Sequence, residues 1–174
     1  MYYLIRSAKR DEIELLPDIE AAAAELFQPY LRQLELTPDK LNKIVSLPFL
    51  RRAQAARRLW VAIAQANPVG FLVAKPLTES FFIVEIDVLP RYTRCGIGSA
   101  LIRTACDRAR LQGFRSVTLT TFRYVPWNVP FYQALGFEVV PAGARSREIQ
   151  AIVAHEDRYG FKREHRAVMR RWVG

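Results

Sequence analysis

The stretch over residues 81–137 constrains the fold more than any other part of the chain, because its apolar periodicity changes repeatedly around a glycine loop. The apolar run Phe81–Val88 predicts a strand, and a Gly-x-Gly pattern follows at residues 96–98. From Ser99 the apolar residues recur at helical spacing, and the β-branched run Ser116–Phe122 predicts the next strand. We expect this half of the chain to carry the function and the rest to support it.

The remaining segments predict strands and helices around this half. Residues 58–65 and 69–76 read as a hairpin with a turn at Asn67-Pro68, and residues 81–88 complete an antiparallel meander. Further strands are predicted at residues 2–5, 136–140 and 165–173. Helices are predicted at residues 17–27, from Pro38 to a stop at Pro48, at 99–112, at 129–135 and at 146–159. The sequence thus predicts one α/β (α+β) domain over residues 1–174, with a mixed sheet of about seven strands flanked by helices.

The chain of 174 residues is long enough to bury a hydrophobic core without cross-links such as disulfides or metals. It has no apolar run near the ~18 residues of a membrane span, and its first residues lack the apolar core of a signal peptide, so we expect a cytoplasmic protein. Cys95 and Cys106 have neither zinc-site spacing nor a disulfide framework. We expect both thiols to be reduced and no metal, although Cys95, in the glycine loop, could be a reactive thiol instead of a plain loop residue.

The formal net charge of +9 would attract anions, such as nucleic acid, acidic lipid or a phosphorylated cofactor. The arginines are scattered, with no long basic run and no interleaved aromatics of the kind that bind single strands. A solvated basic face explains most of them, and nucleic acid is the less favoured partner.

The loop at residues 94–99 joins a strand to a helix and suits phosphate oxygens, because glycines allow close approach and helix N-termini present free N–H groups. Gly-x-Gly alone is a weak signal. A dinucleotide-binding fingerprint would have Gly or Ala where Leu101 stands, and a P-loop would have Gly-Lys-Ser/Thr, which the loop lacks.

The surrounding motifs add specificity. Val88-Leu89-Pro90, the glycine loop six residues beyond Pro90, and the pattern Phe-Tyr-x-x-Leu-Gly-Phe at residues 131–137 together resemble the GCN5-related N-acetyltransferases, the GNAT family. In element order the resemblance covers about residues 6–172. It implies direct transfer of an acetyl group from acetyl-CoA to a primary amine in a ternary complex, and a sheet whose fourth and fifth strands splay apart to admit the pantetheine arm.

By the same resemblance, main-chain amides of the loop would hold the CoA pyrophosphate; the loop residues are Arg94, Cys95, Gly96, Ile97, Gly98 and Ser99. The open backbone edge at Val88 and Leu89 would bind the pantetheine and the thioester carbonyl. Tyr132 would be the general acid that protonates the departing thiolate, since a phenol is protonated at neutral pH. Tyr132 could instead be an aromatic packing residue.

An attacking amine must lose a proton, and Glu85 is our first candidate for the base because it interrupts an apolar strand beside the expected thioester site. Asp87 lies on the same face, two residues on, and could be the base or an acidic attractor for the amine. Alternatively, Glu85 and Asp87 are edge carboxylates that pair with nearby arginines. The strand over residues 116–122 has no carboxylate to offer.

The sequence departs from the family pattern in two places. Thr93 stands where an Arg or Gln is usual, so a side-chain contact to phosphate would either be lost or be taken over by Arg91 or Arg94. Asn128 is only four residues before Tyr132, closer than the usual cofactor-binding Asn, so it either contacts the cofactor by a shorter route or is a turn residue. The segment 125–132 also resembles a bacterial GNAT subgroup of unassigned substrate.

The sequence does not identify the acceptor. A small-molecule amine and a peptide amine are equally compatible with it. A basic nucleic-acid-binding or regulatory module on the same fold, and an acyltransferase that uses a longer acyl-CoA, are the alternatives. A homodimer is compatible with the sequence.

Overall fold

The computed structural model describes residues 2–41 and 44–174. The strands of the described residues are β1 (Leu4–Ser7), β2 (Leu59–Ala64), β3 (Asn67–Pro76), β4 (Phe81–Val88), β5 (Ser116–Phe122), β6 (Glu138–Val139) and β7 (Arg166–Trp172). The α-helices are α1 (Leu16–Ala24), α2 (Leu31–Leu34), α3 (Pro38–Leu41), α4 (Leu47–Ala55), α5 (Ile97–Leu111), α6 (Asn128–Ala134) and α7 (Arg147–Arg158). None of the helices in this part of the chain is long and apolar enough to cross a membrane.

The strands form one mixed, mostly antiparallel sheet in the order β1-β2-β3-β4-β5-β7-β6. The pairs β1–β2, β2–β3, β5–β7 and β6–β7 are antiparallel, and β4–β5 is parallel. The predicted fold class, a mixed sheet of seven strands flanked by helices, is confirmed.

The described chain divides into two compact units. Unit 1 comprises residues 2–26, 44–75 and 83–108, and unit 2 comprises residues 27–41, 76–82 and 109–174. β4 begins in unit 2, where Phe81 pairs with Val117 and Phe82 with Thr118. The predicted splay of β4 and β5 beyond Phe82 stays a prediction.

The core of unit 1 forms where two helices meet the sheet. Leu16 and Ile19 of α1, Leu50 of α4 and Phe71 of β3 are almost fully buried in one cluster. α1 begins beside Pro17, which suits a first helical turn because its missing N–H would have no intrahelical partner there. Burial of each such side chain stabilises the fold by about 1.5–3 kcal/mol.

Unit 2 has a separate cluster of buried residues, made by Leu34, Leu36, Phe122 and Val125. Aromatic rings extend this cluster, and the Phe27 ring lies 5.2 Å from the Phe122 ring in an edge-on contact. The aromatic segment before α2 therefore packs against the end of β5 and is structural at this contact.

Two predicted boundaries are wrong. Pro48 does not end a helix but lies in the first turn of α4, after the extended N-cap residue Ser46. The hairpin turn is at Gln65 and Ala66, both with positive φ, and the predicted turn residues Asn67 and Pro68 belong to β3. Part of the helix predicted between Pro38 and Pro48 lies outside the described residues.

Gly70 of β3 lies so close to the end of β4 that a side chain added there is expected to destabilise the fold. A Cβ atom there would stand 2.8 Å from the Asp87 carbonyl oxygen and 3.1 Å from a Val88 methyl group, and backbone cannot yield as a flexible side chain can. We expect Gly70→Ala to lower the free energy of unfolding by about 1–3 kcal/mol, measured by urea denaturation. Gly143→Ala is the control, since no atom lies within 4 Å of its added Cβ, and equal losses in the two variants would contradict the prediction.

Candidate active site

The second half of β4 carries the two carboxylates that the sequence singled out. Glu85 and Asp87 are half-buried in unit 1, and the Ile86 N–H donates to a Glu85 carboxylate oxygen at 3.1 Å. β3 fixes the end of this strand, because the Leu89 N–H donates to the Val69 carbonyl at 2.9 Å. That main-chain N–H of Leu89 is therefore not available to a ligand.

A third carboxyl group completes a cluster in unit 1. The carboxyl oxygens of Glu20, Glu85 and Asp87 all lie within 4.8 Å of one another. Glu20 comes from the buried face of α1, and both its carboxyl oxygens accept the Val45 N–H at 3.0 Å. We call these three residues the carboxyl cluster.

The cluster cannot hold three negative charges. Burial, and then the negative charge of Glu85, raise the pKa of Glu20 to about 8, against the lowering effect of the Val45 N–H. Burial, followed by the charges of Glu85 and Glu20, raises the pKa of Asp87 well above its usual range. Burial and mutual repulsion therefore favour the neutral acids of Glu20 and Asp87 beside Glu85.

The charge state indicates what the cluster can bind. One Asp87 carboxyl oxygen is buried and has no hydrogen-bond partner among the residues that the structure describes. Because the raised pKa values of Glu20 and Asp87 favour protonation, the cluster suits one ammonium group better than a divalent cation, which prefers more negative oxygen ligands. The cluster can therefore hold a cationic amine and accept its proton.

The raised pKa of Glu20 also predicts how stability depends on pH. Between about pH 4.5 and pH 8 the unfolded chain releases this proton while the folded protein keeps it, so stability falls as pH rises through this window. Glu20→Gln removes this dependence, and we expect the variant to exceed the wild type in stability at pH 8–9 by an amount on the order of a few kcal/mol. Urea midpoints from pH 5 to pH 9 measure the difference.

Glu25→Gln is the matched control, since Glu25 is exposed just beyond the end of the same helix. It should leave the pH profile of the wild type unchanged. Asp87 remains in the Glu20→Gln variant, and its raised pKa also makes stability fall as pH rises. Part of the pH dependence of stability therefore persists. A gap between Glu20→Gln and the wild type that stays constant with pH would show that Glu20 keeps its ordinary acidity.

The glycine loop after β4 ends in a helix N-terminus with free donors. Arg94 and Gly96 have φ of +60° and +82°, which turn the chain sharply before α5. The first bond of that helix runs from the Ala100 N–H to the Gly96 carbonyl. The N–H groups of the three residues between them, Ile97, Gly98 and Ser99, thus lack an intrahelical acceptor and form a site suited to phosphate oxygens.

The side chains of the loop explain one departure from the family pattern. The Thr93 hydroxyl donates to the Pro90 carbonyl at 2.8 Å, so it stabilises the turn. Arg91 lies over the Tyr92 ring at 5.1 Å, whereas Arg94 is exposed and makes no ion pair with the described residues. Arg94 is therefore the better placed of the two arginines to contact a phosphate. Cys95 is half-buried, and its thiol donates to the Thr93 carbonyl at 3.4 Å.

Tyr132 and Asn128 lie on α6 in unit 2. Tyr132 is buried, and its ring makes edge-on contacts with Phe131 at 5.1 Å and Phe137 at 5.9 Å. Asn128 is the first residue of α6 and is also buried, yet its side-chain amide makes no hydrogen bond to the described residues. Gly136 follows with φ of +82° and ends the helix, as the sequence predicted.

The structure brings together Glu85, Asp87, Val88 and the glycine loop in unit 1. Sequence reasoning missed Glu20, which lies in the helix predicted at residues 17–27. The available signal was a single acidic residue inside the run Ile19 to Ala24, whose other members are apolar. Such a residue is seldom buried without a partner, and its partner here is 25 residues away at Val45.

Comparison with known proteins gives a family and a fold. The model of the acetyltransferase (GNAT) family matches residues 20–137. The mouse protein N-acetyltransferase family 8 member 3 is 29% identical over 85 residues, which are 45% of this chain and 38% of that protein. The match thus spans well under half of the relative's length.

Two solved structures share the fold. The ribosomal-protein-S18-alanine N-acetyltransferase from Escherichia coli has a TM-score of 0.67 at 15% identity, over 99% of this chain and 95% of that one. The PaiA N-acetyltransferase from Thermoplasma acidophilum, in complex with coenzyme A, has a TM-score of 0.65 at 17% identity, over 99% of each chain. The matched proteins come from several kinds of organism, so a bacterial subgroup stays a prediction.

Proposed function

Since this chain belongs to the acetyltransferase (GNAT) family, we propose that it transfers the acetyl group of acetyl-CoA to a primary amine, directly and in a ternary complex. The observation that carries the proposal is the carboxyl cluster, in which Glu85 and Asp87 lie on the strand that runs into the glycine loop. One strand and loop then supply both a base and an anion site.

The loop supplies the binding of the coenzyme. The N–H groups of Ile97, Gly98 and Ser99, which lack an intrahelical acceptor, would donate hydrogen bonds to the pyrophosphate oxygens, with Arg94 as an added positive charge. The edge at Val88 would take the pantetheine, while Leu89, whose N–H is already bonded to Val69, would contribute only an apolar flank. We assign Asn128 to the coenzyme as well, because its amide is unsatisfied among the described residues.

The chemistry needs one proton acceptor and one proton donor. Glu85 takes a proton from the acceptor ammonium, and the neutral nitrogen then forms a bond to the acetyl carbon of the thioester. As the carbon–sulfur bond breaks, Tyr132 gives its phenolic proton to the sulfur, which leaves as the free thiol. The second proton of the nitrogen and the proton on Glu85 pass to solvent, and Tyr132 recovers a proton from solvent.

Acetyl-CoA binding and thiol release together test the proposal. At about 100 times its dissociation constant the coenzyme should stabilise the fold by about 2.7 kcal/mol, or roughly 5–10 °C in Tm. Pantetheine, which lacks the pyrophosphate, is the control and should give a much smaller shift. Thiol release that depends on an added primary amine identifies the acceptor class, whereas an unchanged Tm with acetyl-CoA and with longer acyl-CoA donors would refute the proposal.

We further propose that residues 1–174 act as one catalytic domain. The chain passes between the two units five times, and β4 contributes to both. Use of acetyl-CoA and two reduced thiols favour a cytoplasmic protein. A homodimer stays a prediction.

A further inference from the structure

A cavity of about 510 Å³ lies wholly within unit 2 and includes none of the residues assigned above. Its wall contains the segment before β4, the first residues of β5, the start of α7 and the end of β7. Cavities of about 300–1,000 Å³ are typical of sites for small molecules. The size therefore fits a metabolite, and the lining indicates its chemistry.

Arg145 is the most informative residue in the wall. Its side chain is half-buried, and its one hydrogen bond within the described chain runs from Nε to the Val140 carbonyl at 3.3 Å. Burial and then the charge of Arg123 lower the pKa of Arg145, which has no carboxylate partner among the described residues. A half-buried guanidinium with unused donors favours an anionic ligand.

Two further arginines line the same cavity. Arg115 is exposed and forms no ion pair within the described chain. Arg170 donates to the Glu138 carboxylate at 3.0 Å, but its Nε is buried and has no partner among the residues described. Glu79 is the carboxylate that lines the cavity, so positive charge prevails.

The other lining groups add hydroxyls and an apolar wall. The buried hydroxyls of Ser80 and Thr118 are 2.8 Å apart, and Ser116 beside them makes no side-chain hydrogen bond to the described residues. Phe114 and Ile149 form an apolar part of the wall. The Arg170 guanidinium lies over the half-exposed Trp172 ring, 4.3 Å from the ring centroid. An anion with an attached apolar group would thus meet guanidinium groups and carbon surface.

We propose that this cavity binds a small molecule in which a phosphate or carboxylate group is joined to a flat apolar body. The anion lies against Arg145 and Arg115, with the hydroxyls of Ser116 and Thr118 as additional hydrogen-bond partners. The apolar body lies against Phe114 and Trp172. This site is separate from the proposed acetyl transfer and does not depend on it.

Titration of the full chain with phenyl phosphate, followed by amide NMR shifts, tests the site. We expect saturable shifts at Ser116, Thr118 and Ile149, and affinity at least about fivefold above that of inorganic phosphate, which lacks the ring. Phenol, which lacks the charge, should bind more weakly than both. Shifts confined to residues 96–99, or no saturation at about 10 mM phenyl phosphate, would overturn the proposal.

Matched variants locate the charge. Arg145→Gln should lower the affinity for phenyl phosphate by about fivefold or more. Arg147→Gln makes the same change at an exposed residue outside the lining and should lower this affinity by less than about twofold. Trp172→Ala should remove the advantage of phenyl phosphate over inorganic phosphate. Equal losses of affinity in the two arginine variants would show that general surface charge causes the effect, and would refute the site.

Discussion

Glu85→Gln is expected to reduce kcat by about 100-fold or more, because a positioned general base contributes on the order of 10²–10⁴ to the rate. The change keeps the shape of the side chain but removes the carboxylate that is proposed to take the proton. The variant should also lose the low-pH limb of the wild-type rate profile. Initial rates of thiol release at saturating acetyl-CoA and amine, from pH 5 to pH 9, measure both effects.

Asp87→Asn is the matched comparison and separates the two candidate bases. Burial raises the pKa of Asp87 and favours its neutral acid, so a neutral amide should change kcat by less than about tenfold. The opposite pattern, a large loss in Asp87→Asn and a small one in Glu85→Gln, would transfer the role to Asp87. Full activity and an unaltered pH profile in both variants would exclude the cluster from proton transfer.

Tyr132→Phe is expected to lower kcat by about 100-fold with little change in KM, since a general acid contributes a factor of about 10²–10⁴. The ring is buried against Phe131 and Phe137, and phenylalanine can keep those contacts. The loss should therefore appear in turnover and not in folding. Steady-state kinetics and a thermal melt, both with acetyl-CoA, measure the two quantities.

Tyr124→Phe is the control for removal of a phenol. Tyr124 is half-exposed in the same unit, and its ring contacts His165 edge-on at 5.9 Å. It should retain wild-type kcat. An unchanged kcat in Tyr132→Phe would leave Tyr132 as a packing residue, which was the alternative from the sequence.

Patterns with a clear period were predicted well from the sequence. β4 and β5 have the bounds that their apolar and β-branched runs indicated, and α7 begins after its N-cap Ser146, which accepts the Ile149 N–H at 3.3 Å. Gly113 has φ of +81° just after α5, as expected of a glycine that ends a helix. These features follow from local geometry, which is why they can be read locally.

Proline positions show the limit of that reading. Proline is excluded from a helix interior but favoured in its first turn, so Pro48 alone is compatible with an end or a beginning. The burial of Leu50 and Ala53 in the unit 1 core selects the beginning. At the hairpin, the register of β2 on β3 places the turn two residues earlier than Asn67-Pro68 indicated.

The sequence by itself determined the strand, the glycine loop and the helix that carry the proposed anion site, since each depends on residues adjacent in the chain. It also placed Glu85 and Asp87 on one face, because side chains alternate along a strand. Only the tertiary structure added Glu20, from a helix more than sixty residues earlier, and only it raises the pKa values of Glu20 and Asp87. The reason is physical: a pKa depends on burial and on charges a few ångströms away, and folding alone creates both.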